Sequence, residues 1–236
     1  MTPMLRFEAP PKFTKNLLIA LLSLYIVELL VVQWFAIPLN RILPWDPSSG
    51  LSQPWTPLTM FLYQDPRPLS FLFDLLALYF FMPTFQRKYG VTSAYSLLTG
   101  VFLVSLIFGT LGLYSGAIPM TGPSVLGLGA YVLALVVIFG LNNPNATILL
   151  LFFPIQAAWI AWGSGILTGL NFLATRSLDS AVLLSGWIAG YLFIQKRRYG
   201  SFNKWFKKMQ HNQQKNRSRK HLEVIKGGRS KKDTIH

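Results

Sequence analysis

An all-α polytopic membrane protein, six transmembrane helices in one bundle, is the fold class this sequence predicts, and three observations predict it. The chain is 52% hydrophobic and only 13% charged, with a mean hydropathy of +0.40, a balance foreign to soluble globular domains. Its apolar residues gather into runs long enough to cross a ~30 Å hydrocarbon layer, and turns rich in Pro, Gly and Asn separate them. Its charge is lopsided: from Lys196 onward 14 Lys/Arg face only Glu223 and Asp233, so this end carries +12 of the formal +14.

The organisation expected is a cytoplasmic segment over 1–16, a membrane domain over 17–195 and a basic, largely disordered cytoplasmic tail over 196–236. The first span is the apolar run from Leu17 to Leu39. It is too long for the apolar part of a signal peptide, and further spans follow it. Glu28 sits in its middle and should face the bundle, because an acid facing lipid costs several kcal/mol. Arg41 to Thr56 holds three prolines and two tryptophans, which predicts an interfacial loop with Trp45 and Trp55 in the headgroup layer.

The second span covers about Leu69 to Phe85 with Asp74 near its middle, and QRKYG ends it. Asp74 and Glu28 are expected to meet across the first two spans, two acids sharing a proton. The third span runs about Val91 to Leu113. The fourth follows the glycine-rich stretch TGPSVLGLGAY and ends near Gly140, where LNNPNAT makes a tight turn. The fifth is expected from Ile148 to about Thr168, and the sixth from about Ser180 to Ile194, stopped by Lys196, Arg197 and Arg198. An even count puts both termini on one side. The basic residues at Lys12, Lys15, Arg87, Lys88 and Lys196 make that side the cytoplasm. GxxxG spacings at Gly112/Gly116, Gly165/Gly169 and Gly186/Gly190 predict close helix contacts.

The candidate chemistry centres on Ser124. A serine attacks a carbonyl only when a base takes its proton and donors hold the oxyanion. Cysteine is absent, and the three histidines, His211, His221 and His236, all lie in the tail, so neither a thiolate nor a histidine base is at hand in the apolar part. Between Lys88 and Lys196 the charged residues are Arg176 and Asp179, which leaves no lysine at membrane depth for a serine–lysine pair. No metal or cofactor is expected.

Taken together, several stretches from about Pro54 to Phe193 resemble the rhomboid family of intramembrane serine proteases. QPWTPLTMFLY is similar to the family's tryptophan–arginine loop, and LFDLLALYFFMPTFQRKYG to its second span. GPSVLGLG is similar to its serine motif, LLLFFPIQAAW to its fifth span and LSGWIAGYLF to its sixth. The resemblance implies a six-span fold with a cytoplasmic N-terminus and places the nucleophile at Ser124. It also exposes departures. The family's histidine base falls on Leu183, and its oxyanion-binding histidine and asparagine fall on Ser70 and Asp74. Its loop arginine falls on Thr56, its glutamate on Gln86, and the glycine after the serine on Val125.

The sequence therefore predicts a member without catalytic residues, in which Ser124 is a remnant and Gly127, Gly129, Gly186 and Gly190 serve helix packing. The resemblance implies binding of transmembrane segments of other proteins without cleavage, in a bacterial plasma membrane. Two alternatives stand beside it: an active protease using Ser124 with another base such as Asp74, and a membrane-protein assembly factor whose tail meets the ribosome or its RNA. For the tail, contact with anionic lipid through Lys196, Arg197, Arg198, Lys204, Lys207 and Lys208 is the simpler expectation.

Overall fold

The computed structural model describes residues 10–35, 37, 39–46, 53, 55–63, 68–116, 127–150 and 153–197. The chain divides into two units, Met1–Ile194 and Gln195–His236. The described residues are mostly helical. In chain order they form α1 (Lys12–Phe35), the single turns α2 (Leu39–Ile42) and α3 (Thr56–Thr59), α4 (Pro68–Tyr89), α5 (Val91–Tyr114) and α6 (Gly127–Asn142). A hairpin of β1 (Thr147–Leu150) and β2 (Phe153–Gln156) follows, then α7 (Ala157–Thr175) and α8 (Leu178–Arg197). Five of these helices, α1, α4, α5, α7 and α8, are long and apolar enough to cross a membrane. The chain is an integral membrane protein in its composition and its helices.

Local chemistry sets the boundaries. One residue, Gly90, separates α4 from α5. It takes φ +80, where a side chain would be strained, and its N–H reaches back to the Gln86 carbonyl at 2.8 Å. α7 ends where Arg176 takes φ 50 and its N–H bonds the Phe172 carbonyl. Ser177 then caps α8: its Oγ accepts the Ser180 N–H at 3.2 Å, while the Ser180 hydroxyl donates to the Ser177 carbonyl at 2.7 Å. The last helix thus begins earlier than the apolar run alone suggests, and Asp179 lies in its first turn, where the helix dipole favours an acid.

One span is corrected. The stretch expected to begin the fifth span at Ile148 is an antiparallel hairpin, with Ile148 opposite Ile155 and Thr147 opposite Gln156, and the helix starts only at Ala157. A continuous apolar run satisfies helix and strand alike. Here the Ala157 N–H donates to the Ala146 carbonyl at 2.8 Å, closing the base of the hairpin against the turn before it.

α6 is the centre. It is apolar on every side and buried on nearly every side, as such a helix must be. α4, α5 and α7 all pack on it, α4 and α7 most extensively, and those two make no comparable contact with each other. Contacts along each pair give the directions. Gly127 of α6 lies on Met60, just before α4, while Asn142 at its other end accepts a 2.9 Å hydrogen bond from the Tyr89 hydroxyl at the end of α4. α4 and α6 therefore run the same way. α8 joins them, since Gly186 and Gly190 meet Ala130 and Ala134 in rising order. α1, α5 and α7 run the opposite way: Thr14 meets Gln86 and Tyr25 meets Phe71, Ser105 meets Ser185 and Gly109 meets Leu178, and Ala157 meets Gly140.

The loop before α4 differs from expectation at Trp45. Its indole is 3% exposed and lies against Gly109 of α5, where an added Cβ would collide with the ring. It plugs the bundle and does not float at the headgroups. Trp55 is exposed and donates through Nε1 to the Ile42 carbonyl at 3.1 Å.

Candidate functional site

Two of the positions singled out in the sequence meet at Gly129, near the start of α6. A Cβ built there would lie 3.4 Å from Leu183 Cδ2 on α8 and 4.0 Å from Asp74 Oδ2 on α4. The position expected for a lost base and one of those expected for a lost oxyanion donor thus flank the same glycine from two helices. Ser70, one turn before Asp74, is half-buried on α4. Ser124 and Val125 fall outside the described residues, and α6 is described from Gly127. That glycine is required by crowding: an added Cβ would sit 2.7 Å from the Met60 carbonyl oxygen and 3.0 Å from the Phe61 nitrogen.

α8 is held to α6 with almost no space between backbones. A Cβ on Gly186 would overlap the Ala130 carbonyl, and one on Gly190 would be 2.8 Å from the Ala134 carbonyl oxygen. Close approach of this kind replaces the hydrophobic drive that lipid removes. The other two GxxxG spacings do not behave this way. Gly165 receives the Trp187 indole and not a helix backbone, Gly169 has nothing within 4 Å, and Gly116 lies beyond α5 at φ +67 with open space around it.

Several polar contacts that shape the site give no signal in the sequence. Ser105 of α5 and Ser185 of α8 are both fully buried, with hydroxyl oxygens 2.6 Å apart. Ser185 spends its proton on the Val182 carbonyl at 2.6 Å, so Ser105 is the donor across the helix pair. Trp187 donates from Nε1 to the Ala161 carbonyl at 2.8 Å and tethers α7 to α8. The buried Tyr131 hydroxyl donates to the Ala94 carbonyl at 3.3 Å. Lone serines and aromatics in apolar runs announce only that some partner exists.

Thr56 is buried and its hydroxyl donates to the Gln53 carbonyl at 2.9 Å, which pins the turn at α3. Gln86 is buried and accepts from the Thr14 hydroxyl at 3.2 Å, while its Nε2 is buried with no hydrogen-bond partner. Glu28 is buried, as expected for an acid turned inward. Tyr25 and Phe71 stack at 4.1 Å between antiparallel helices. Lys196 and Arg197 are exposed at the end of α8, and Arg198, Lys204, Lys207 and Lys208 lie outside the described residues. Among the described residues no group of His, Asp and Glu could hold a metal ion.

Chemically, the arrangement offers at Gly129 an aliphatic side chain from α8 and a carboxyl group from α4. Leucine accepts no proton, and an ionised carboxylate repels a developing oxyanion. Compared with known proteins, the chain matches no family model, and no curated protein matches it.

Proposed function

We propose that this chain is a rhomboid-like membrane protein without proteolytic activity, whose six spans include α6, and that it holds transmembrane helices of client proteins. The observation that carries the reading is the pairing of Leu183 with Asp74 about Gly129, where hydrolysis would need a base and an oxyanion donor. The lateral surface supports the binding half of it. α4 and α7 both rest on α6 without closing on each other, and their outer faces carry exposed Leu72, Phe73, Leu76, Trp162, Ile166 and Leu170. A client helix entering between them would trade lipid contacts for side-chain packing, which decides association inside a bilayer. In the proposed orientation both termini are cytoplasmic and the membrane is a bacterial plasma membrane.

Two measurements on the full-length protein test the two halves. A serine-reactive phosphonate should leave Ser124 unlabelled in the folded, detergent-solubilised protein. Labelling that disappears in Ser124→Ala would replace this reading with an active protease. A photo-crosslinking amino acid at Phe73 or Ile166, in native membranes, should capture transmembrane segments of other proteins, while the same probe at Leu103 on α5 should not. Equal capture at all three sites would end the client-binding proposal.

A further inference from the structure

We propose that the β1–β2 hairpin is a membrane-interface element, lying in the boundary layer of the bilayer at the end of the bundle that carries Lys12, Arg87 and Lys88, and seating the start of α7 there. This placement depends on membrane integration alone and not on the helix-holding function proposed above.

The hairpin reads TILLLFFPIQ, with six consecutive Ile, Leu and Phe residues from Ile148 to Phe153 before Pro154 and Ile155. Such a segment has three environments to choose from, and two conflict with its backbone. In water, an isolated two-stranded hairpin with this much apolar surface is barely stable and invites aggregation. In the hydrocarbon interior, an open sheet edge leaves N–H and C=O groups without partners, at several kcal/mol each. Among the described residues this sheet has two strands, and no described strand pairs with either outer edge. The interface is the environment where the edges can meet water and headgroups while so apolar a composition still favours the acyl boundary.

The depth agrees. Asn142, five residues before β1, accepts the Tyr89 hydroxyl beside the exposed Arg87 and Lys88, which puts the base of the hairpin at a basic, water-facing end of the bundle. Pro144 and Asn145, in the turn between, are exposed. On the other side of the hairpin, Trp159 in the first turn of α7 is 71% exposed, the residue type that marks headgroup level. The segment cannot be a crossing, because its two ends meet: the Ala157 N–H bonds the Ala146 carbonyl, and Gly140 presses on Ala157. It leaves the bundle and returns at one level.

The absence of cysteine makes the test direct. Nitroxide labels on Leu150→Cys, Asn145→Cys and Ile166→Cys, each in the full-length chain in phosphatidylcholine/phosphatidylglycerol vesicles, are compared by power saturation with oxygen and with a water-soluble nickel chelate. The ratio of oxygen to nickel accessibility at Leu150 should exceed that at Asn145 several-fold and fall below that at Ile166. A ratio at Leu150 equal to that at Asn145 would put the hairpin in water, and one equal to that at Ile166 would put it in the bilayer interior. Exclusion of both relaxants would mean that protein covers it. Each of these three results overturns the proposal. Should Leu150→Cys fail to fold, Pro154→Cys on the opposite strand gives the same comparison.

Discussion

At Gly186 the distance between two helices is set by the lack of one methyl group. Its Cα hydrogen faces the Ala130 backbone, which cannot swing aside as a side chain can. Gly186→Val should therefore destabilise the folded protein by about 1–3 kcal/mol, the usual range for forced overpacking. Gly169→Val, in an equally apolar helix but with nothing within 4 Å, should stay within about 0.5 kcal/mol of the wild type. Thermal unfolding in detergent, followed by circular dichroism, separates the two, and similar losses at both positions would contradict the close α6–α8 contact. The buried Ser105–Ser185 bond joins α5 to the same stretch of α8 and is of the kind worth about 0.6 kcal/mol in membrane helices.

Elements are joined here by aromatic side chains that cross between them. Trp45, from the loop before α3, fills the space over Gly109 and touches the same region as Leu178, so it ties a loop to α5 and to the start of α8. Trp45→Ala should cost about 3–5 kcal/mol as a core cavity, whereas Trp55→Ala, an exposed indole with one hydrogen bond to Ile42, should cost about 1 kcal/mol. Comparable losses from the two would return Trp45 to the interface. α7 is tethered mainly along one side, through Ala157 and Ala161 to Gly140 and through Trp187 to Ala161, and its other faces carry exposed Ile166, Leu167, Leu170 and Leu173. That division is what the proposed entry of a client helix beside α7 requires.

For the whole molecule, the alternation of helix directions puts Lys12 and Arg87 at one end and Ser115 at the other. In the proposed orientation, single cysteines at Lys12 and Arg87 should react with a membrane-impermeant maleimide only from the cytoplasmic side, and one at Ser115 only from the opposite side. Reaction of Lys12→Cys and Arg87→Cys from different sides would mean that α1 and α4 are not successive crossings. The arrangement also suits the 16 described residues of α6 to the centre, because other helices pack around them and lipid need not match them.

The membrane class, the ends of α5 and the turn at Gly90 were legible in the sequence because they follow from hydropathy and from single-residue backbone preferences. So was the special status of Gly186 and Gly190, although spacing alone could not separate them from Gly165 and Gly169, which differ only in what stands opposite. TILLLFFPIQ could not be read as a hairpin, since an unbroken apolar run has no period to favour helix or strand. Trp45 looked like an interfacial residue for the same kind of reason: composition reports an affinity for the headgroup layer, and only tertiary structure reports that a cavity over Gly109 was the better place. At the candidate site, the sequence shows that residue 183 is a leucine, which accepts no proton; that a base is missing there belongs to the proposed rhomboid-like reading. That Leu183 and Asp74 flank the same glycine was decided by the register in which α8 and α4 pack on α6, through contacts no local pattern encodes.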